Sequence, residues 1–267
     1  MVGLTRINRE EVTAVPQLEK VDNRPIKGSK LFPEIFANIF LCARKKSGKT
    51  STIFKIIKEC CGKNTTVLAF VSTLHKDANW KTIQKYCDQK DIPFIGYTSM
   101  QEDGINHLEQ FVEAQQRQPE VPPEAIRNPP VRFDEETDET EDTKPKKSKF
   151  RSPEYLIIFD DLSNELKAPA LTTLLKKNRH FQSKIIVSSQ YLNDLPPQSR
   201  KQMDNILIFK GQPDKKLDEI RRDFDIAIDP EQFQEIYKTA TEAKFSFLYI
   251  DRFDDSFRRN FTHLFDL

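Results

Sequence analysis

The stretch "NIFLCARKKSGKTSTIFKIIKECCGK", Asn38 to Lys63, decides the fold. Its opening five residues are a short β-type run. Beyond the central loop, Ile53, Phe54, Ile56 and Ile57 form an apolar stripe at helical spacing, and Gly62 supplies a helix stop. Between strand and helix lies "ARKKSGKTS", Ala43 to Ser51, which fits the phosphate-loop pattern G-x-x-x-x-G-K-[ST] except that Ala43 stands at the first glycine position. Gly48 must stay small because backbone and phosphate approach closely there, whereas Ala43 need only begin the turn, which it can do with φ negative.

The candidate nucleotide-binding residues are therefore Ala43, Arg44, Lys45, Lys46, Ser47, Gly48, Lys49, Thr50 and Ser51. Loop N–H groups and the helix N-terminus would face the phosphates of ATP, and Lys49 would reach the β- and γ-phosphate oxygens. Thr50 supplies a hydroxyl for Mg²⁺. The plain alternative is a solvated basic loop at a helix start.

A second stretch weighs against that alternative. "YLIIFDDL", Tyr155 to Leu162, is an apolar strand ending in two acids. Such an ending puts Asp160 and Asp161 at the C-terminal edge of an open α/β sheet, where ligands bind. Asp160 is the candidate magnesium ligand, and Asp161 the candidate group that orients and deprotonates the attacking water. "KIIVSSQ" ends another apolar strand on Gln190, whose amide could sense the γ-phosphate. Arg179, after the acid pair and at the end of a helical stretch, is a candidate finger to a neighbouring subunit's γ-phosphate, with Arg200, Arg221 and Arg222 as competitors.

The rest of the chain alternates strand-like and helix-like segments. "TTVLAFVST" reads as a strand buried on both faces, Asn79 to Lys90 as a helix, "IPFIGYTS" as a strand and "INHLEQFVEAQQ" as a helix. A helical stretch runs from Glu165 to Lys177, "NILIFKG" is strand-like, two helices follow Gly211, and "FSFLYIDRF" closes the chain. Strand and helix alternating throughout imply an α/β fold with a mainly parallel sheet flanked by helices. Residues 1–30 read as an N-terminal arm. Residues 119–152, dense in proline, then acid, then lysine, read as a disordered charged insert in a P-loop domain made of 31–118 and 153–267.

At 267 residues, with 37% hydrophobic and 31% charged residues, the chain suits one main soluble domain. No apolar run approaches the roughly 20 residues of a membrane span, and no signal-peptide stretch opens the chain, so an intracellular protein without a membrane span is expected. The four cysteines lack zinc or redox spacing and read as buried thiols. A net charge of +1 gives no global nucleic-acid signature; contact with DNA would need a local patch or assembly into a ring.

"FPEIFANIFLCARKKSGKTS", "YLIIFDDLS", "NRHFQSKIIVSSQ" and "MDNILIF" together resemble the poxvirus-type DNA-packaging ATPases of the FtsK–HerA superfamily, whose relatives occur in large DNA viruses, virophages and polinton-like elements. The similarity covers roughly Phe32 to Phe224, interrupted by the insert. The resemblance implies an additional-strand P-loop core, a homo-oligomeric ring, and ATP-driven movement of double-stranded DNA into a preformed capsid. It also implies capsid or portal-vertex partners at a host-cell virus assembly site, and association with the virion. Lys49 and Thr50 match the family's phosphate loop, Asp160 its magnesium acid and Gln190 its sensor amide. Asp161 departs from the pattern, standing where many such ATPases carry the longer glutamate. Competing readings are a small-molecule phosphotransferase on the same core and a nucleotide-binding scaffold without hydrolysis.

Overall fold

The computed structural model describes residues 22–117 and 149–267. Residues 1–21 and 118–148, which hold most of the expected arm and insert, lie outside the described residues. The elements run β1 (Asn38–Cys42), α1 (Lys49–Cys60), β2 (Thr66–Val71), α2 (Ala78–Gln89), β3 (Phe94–Tyr97), a small hairpin β4 (Gln101–Glu102) and β5 (Ile105–Asn106), then α3 (His107–Arg117). After residue 148 come β6 (Tyr155–Asp160), α4 (Pro169–Lys176), β7 (Ser183–Ser189), α5 (Pro197–Arg200), β8 (Asn205–Phe209), α6 (Asp214–Asp223), α7 (Pro230–Ala240), β9 (Phe247–Asp251), β10 (Ser256–Arg259) and β11 (His263–Leu264).

Nine of the strands form one sheet in the order β11-β10-β9-β8-β1-β7-β6-β2-β3. From β3 to β8 every neighbouring pair is parallel. β7 stands between the phosphate-loop strand β1 and the acid-bearing strand β6, which is the additional-strand arrangement. Every residue of β1, β7 and β8 is buried, as central strands covered on both faces require. Side chains alternate across the sheet: Phe40 and Cys42 enter one core with Ile157, Phe159, Leu171 and Leu174, while Ile39 and Leu41 enter the other with Ile53, Ile56, Ile57 and Trp80. Helices α1 and α2 cover the second face, and α3, α4, α6 and α7 the first.

Helix α1 buries Ile53, Ile56 and Ile57 as its spacing predicts; Phe54 turns to its flank and meets Tyr86 of α2 edge-on at 5.2 Å. The helix ends on an extended Cys61 (φ −85°, ψ 138°) rather than on a left-handed Gly62. Gly62 instead donates its N–H to Thr65 Oγ1 at 3.0 Å, closing the turn into β2.

One expectation needs correction. The helix expected from Glu165 to Lys177 is a 3-10 turn, Ser163–Lys167, followed by α4. Pro169 explains the break: it forces Ala168 out of the helical region (φ −59°, ψ 133°) and then starts α4 at its first turn, where a missing N–H costs nothing. The sheet is mainly parallel, as expected, and one end of it, β8 to β11, pairs antiparallel. Lys27 N–H donates to the Arg151 carbonyl at 2.8 Å and Arg151 N–H to the Pro25 carbonyl at 3.0 Å, so the segments 22–30 and 149–152 meet in a single bridge between Ile26 and Arg151.

Candidate functional site

The site is built at the C-terminal edge of the parallel strands. Ala43 extends the pairing of β1 by one residue, its N–H donating to the Ser189 carbonyl at 3.1 Å. The chain then turns, with Ser47 N–H on the Arg44 carbonyl at 3.3 Å and Lys46 left-handed at φ 63°. Gly48 is left-handed too, at φ 97°, and Lys49 begins α1. A Cβ at Gly48 would lie 3.3 Å from the Phe245 side chain, so the position is held to glycine by backbone and by space. Gly48→Ala is expected to cost about 1–2 kcal/mol of stability from the left-handed backbone and to weaken triphosphate binding; thermal melting and titration calorimetry read the two effects separately.

Helix α1 opens with no side-chain cap and no acidic residue in its first turn. Its free N–H groups and positive dipole end therefore face the cleft, which favours an anion there.

Strand β6 delivers the two acids. The left-handed turn at Asp161 (φ 56°) follows the extended Asp160, and both carboxylates meet one ammonium: Lys49 Nζ lies 2.9 Å from Asp160 Oδ1 and 2.5 Å from Asp161 Oδ1. The Asp160 side chain is 3% exposed and that of Asp161 33%, so the first carboxylate is a buried charge and the second faces the cleft. Burial pushes the Asp160 pKa up, and the Lys49 charge pulls against it. Lys49 is thus the principal counter-charge of a carboxylate that would otherwise be costly to ionise.

A cleft of about 910 Å³ opens over these groups. Arg44 to Ser51, Asp160 and Asp161 all line it. Ala43 does not: it is fully buried, and its N–H is used by Ser189. The buried Ser47 Oγ has no hydrogen-bond partner, so the floor of the cleft keeps a polar atom for a ligand. Among the described residues no cluster of three or more His, Cys, Asp or Glu could cage a metal. One carboxylate, Asp160, and one hydroxyl, Thr50, fit an ion that completes its shell with phosphate oxygens and water, as Mg²⁺ does.

Other expected site residues fall elsewhere. Gln190 follows β7 and lines an adjoining cleft with Arg44, Lys45 and Lys216, and its carbonyl accepts from Lys216 Nζ. Arg179 precedes β7, at the opposite edge of the sheet, with its guanidinium 5.6 Å over the Phe253 ring. It stands apart from the cleft of its own chain. Arg200 is paired with Asp223 at 2.5 Å, and Arg221 and Arg222 with Asp218 at 3.2 and 2.8 Å.

The cleft also recruits residues that motif reading missed. Thr73, Lys76, Asp77 and Asn79 follow β2, whose Val71 is level with Asp160. The rule that strand tips at this edge line the ligand site would have found them. Lys244 and Phe245 come from the entry to β9 and carried no signal, because only the unexpected antiparallel direction of that strand brings them to this edge. The four cysteines are buried free thiols, and among the described residues no helix is long and apolar enough to cross a membrane.

Neither a protein-family model nor a curated protein matches the chain. Solved structures do. The chain is similar to the genome packaging NTPase B204 from Sulfolobus turreted icosahedral virus 2 in complex with AMP, at TM-score 0.53 and 18% identity over 84% of this chain and 96% of that one. The same protein in complex with ATP-gammaS matches at TM-score 0.51 and 17% identity over 84% and 96%. B204, the DNA-packaging ATPase from Sulfolobus turreted icosahedral virus, matches at TM-score 0.52 and 16% identity over 83% and 95%. At such identities the likeness establishes a common fold.

Proposed function

We propose that the protein is an ATP-hydrolysing motor that moves double-stranded viral DNA into a preformed capsid. The single observation that carries this reading is Lys49 held between Asp160 and Asp161 at the open N-terminus of α1, inside a cleft large enough for a nucleotide. Its fold partner, a genome packaging NTPase described with AMP and ATP-gammaS, supports the same reading.

The chemistry follows from the charges. A triphosphate entering the cleft offers Lys49 a stronger partner than the two carboxylates, and the ammonium moves to the β- and γ-phosphate oxygens. Loop N–H groups between Arg44 and Gly48 and the end of α1 take the remaining phosphate charge. Thr50 and Asp160 would hold magnesium, whose contribution there is to neutralise charge on the same oxygens. Asp161, released from Lys49, is then free to accept a proton from the attacking water.

A subunit with net charge +1 has little means of gripping duplex DNA alone, since affinity comes mainly from neutralised phosphates. A homo-oligomeric ring converges a few basic residues from each copy on one channel. The same boundary would bring Arg179 to a neighbour's γ-phosphate. Capsid or portal-vertex proteins at the host-cell assembly site, and ultimately the virion, complete the expected surroundings.

Phosphate release with and without duplex DNA, over a range of protein concentrations, tests the reading. Specific activity is expected to rise with concentration and with DNA, the DNA effect fading as salt is raised. Mixing Arg179→Ala with Lys49→Ala subunits should recover part of the activity, because an intact loop meets an intact arginine only at a mixed boundary. Turnover indifferent to DNA, concentration and mixing would mean that each subunit works alone, as a phosphotransferase does.

A further inference from the structure

Beside the cleft lies a second cavity of about 410 Å³, which shares Gly48, Ser51 and Phe245 with it. Its far wall is aromatic. Phe247 and Phe261 pack edge-on at 5.1 Å, and Phe261 is held in turn by Phe32 at 5.6 Å, so this wall is rigid. Phe245 differs from them. It is 55% exposed, its backbone is left-handed at φ 66°, and its ring stands over Gly48 with Lys244 Nζ 4.9 Å from its centroid.

A phenylalanine in the left-handed region is a backbone outlier. The side chain it presents buries little apolar surface in return, so the fold does not explain the residue. Strain of this kind concentrates at ligand clamps. Beside the hydroxyls of Ser51, Thr52 and Thr262, two side chains of the cavity offer donors: Asn260 Oδ1 already accepts from Phe247 N–H at 3.1 Å, which leaves the Asn260 amide NH₂, and Lys55 adds an ammonium.

We infer that this cavity takes the purine base of the nucleotide, with Phe245 as the ring on which it stacks and Asn260 and Lys55 as donors to its ring nitrogens. The inference rests on reading the neighbouring cleft as a triphosphate site. Flat aromatic surface at the junction of the two cavities suits a heteroaromatic base on the sugar side of the phosphates, and the larger purine stacks better than a pyrimidine.

Calorimetric titration of the full chain with ATP, CTP and inorganic tripolyphosphate separates base from phosphate. The parent should bind ATP on the order of tenfold more tightly than tripolyphosphate, given what stacking of one base contributes, with CTP between them. Phe245→Gly, which relaxes the left-handed backbone, and Phe245→Asn, which tolerates it, should each bring ATP to the affinity of tripolyphosphate, the loss for ATP being several-fold greater than that for tripolyphosphate. Phe245→Trp should keep the preference for ATP. Equal affinities for ATP and tripolyphosphate in the parent, or an equal loss for both in the variants, would overturn the base site; equal affinities for ATP and CTP would overturn its purine preference. Tripolyphosphate binding that survives Lys49→Ala would instead overturn the phosphate reading beneath it.

Discussion

Lys49→Ala is expected to reduce ATP turnover by about 10³-fold, at the upper end of what removing one charge-stabilising donor costs, and to weaken triphosphate binding. The residue has two electrostatic roles in the folded protein. It is the cleft's side-chain cation on the buried floor, 11% exposed, and it is the principal counter-charge of Asp160. The second role adds a signature that loss of phosphate contact alone would not produce. Burial already raises the Asp160 pKa, and removing Lys49 raises it further. A carboxyl whose folded-state pKa lies above its unfolded value favours the folded state at acid pH, and that advantage is lost as pH rises through the folded value. The melting temperature of the variant relative to the parent should therefore be closest in acid and fall progressively towards neutral pH. Turnover close to the parent's would sink the site. A melting difference independent of pH would mean that the ion pair does not govern Asp160.

What the sequence made legible is what short-range chemistry encodes. Apolar runs of strand length that end in Cys42, Asp160 and Ser189 have no exposed face, so they belong in the middle of a parallel sheet, and parallel strands bring their C-terminal tips to one edge. Lys49 and Asp160 are 111 positions apart by their numbers, yet that rule alone predicts their meeting. The parts that escaped are those set by tertiary context. "SFRR" and "HL" lack an alternating pattern, since β10 and β11 form a partly exposed sheet edge, and their pairing with β9 could not be read from periodicity. Phe245 is invisible for the same reason: its place over Gly48 depends on the reversal of direction at β9. The break at Ala168 was available in the sequence, because a proline with a helical pattern on both sides marks a boundary.

Asp161→Asn should bind ATP as the parent does and hydrolyse it about 10²-fold or more slowly, the loss expected when a general base is removed. Geometry makes this substitution unusually clean. Asparagine matches aspartate in shape and is one of the few residues that accept a left-handed backbone, so the turn at φ 56° is preserved. The carboxylate is also partly exposed, at 33%, so its neutralisation leaves no buried charge unpaired. What changes is the ability to take a proton, together with one of the two carboxylate contacts of Lys49 at rest. Losing that contact should, if anything, release Lys49 to the phosphates more easily, so a fall in turnover cannot be assigned to weaker nucleotide binding. Asp161→Glu supplies the complementary test: the longer arm reaches further into the cleft but sits on a backbone that glutamate adopts at a cost. If water activation depends on reach, Asp161→Glu outpaces the parent; if it depends on the turn, it falls below. Single-turnover phosphate release with ATP affinity measured in parallel separates these outcomes. Parental rates in both variants would remove Asp161 from the chemistry and turn attention to Gln190, which would then have to swing out of the adjoining cleft beside Arg44 and Lys216.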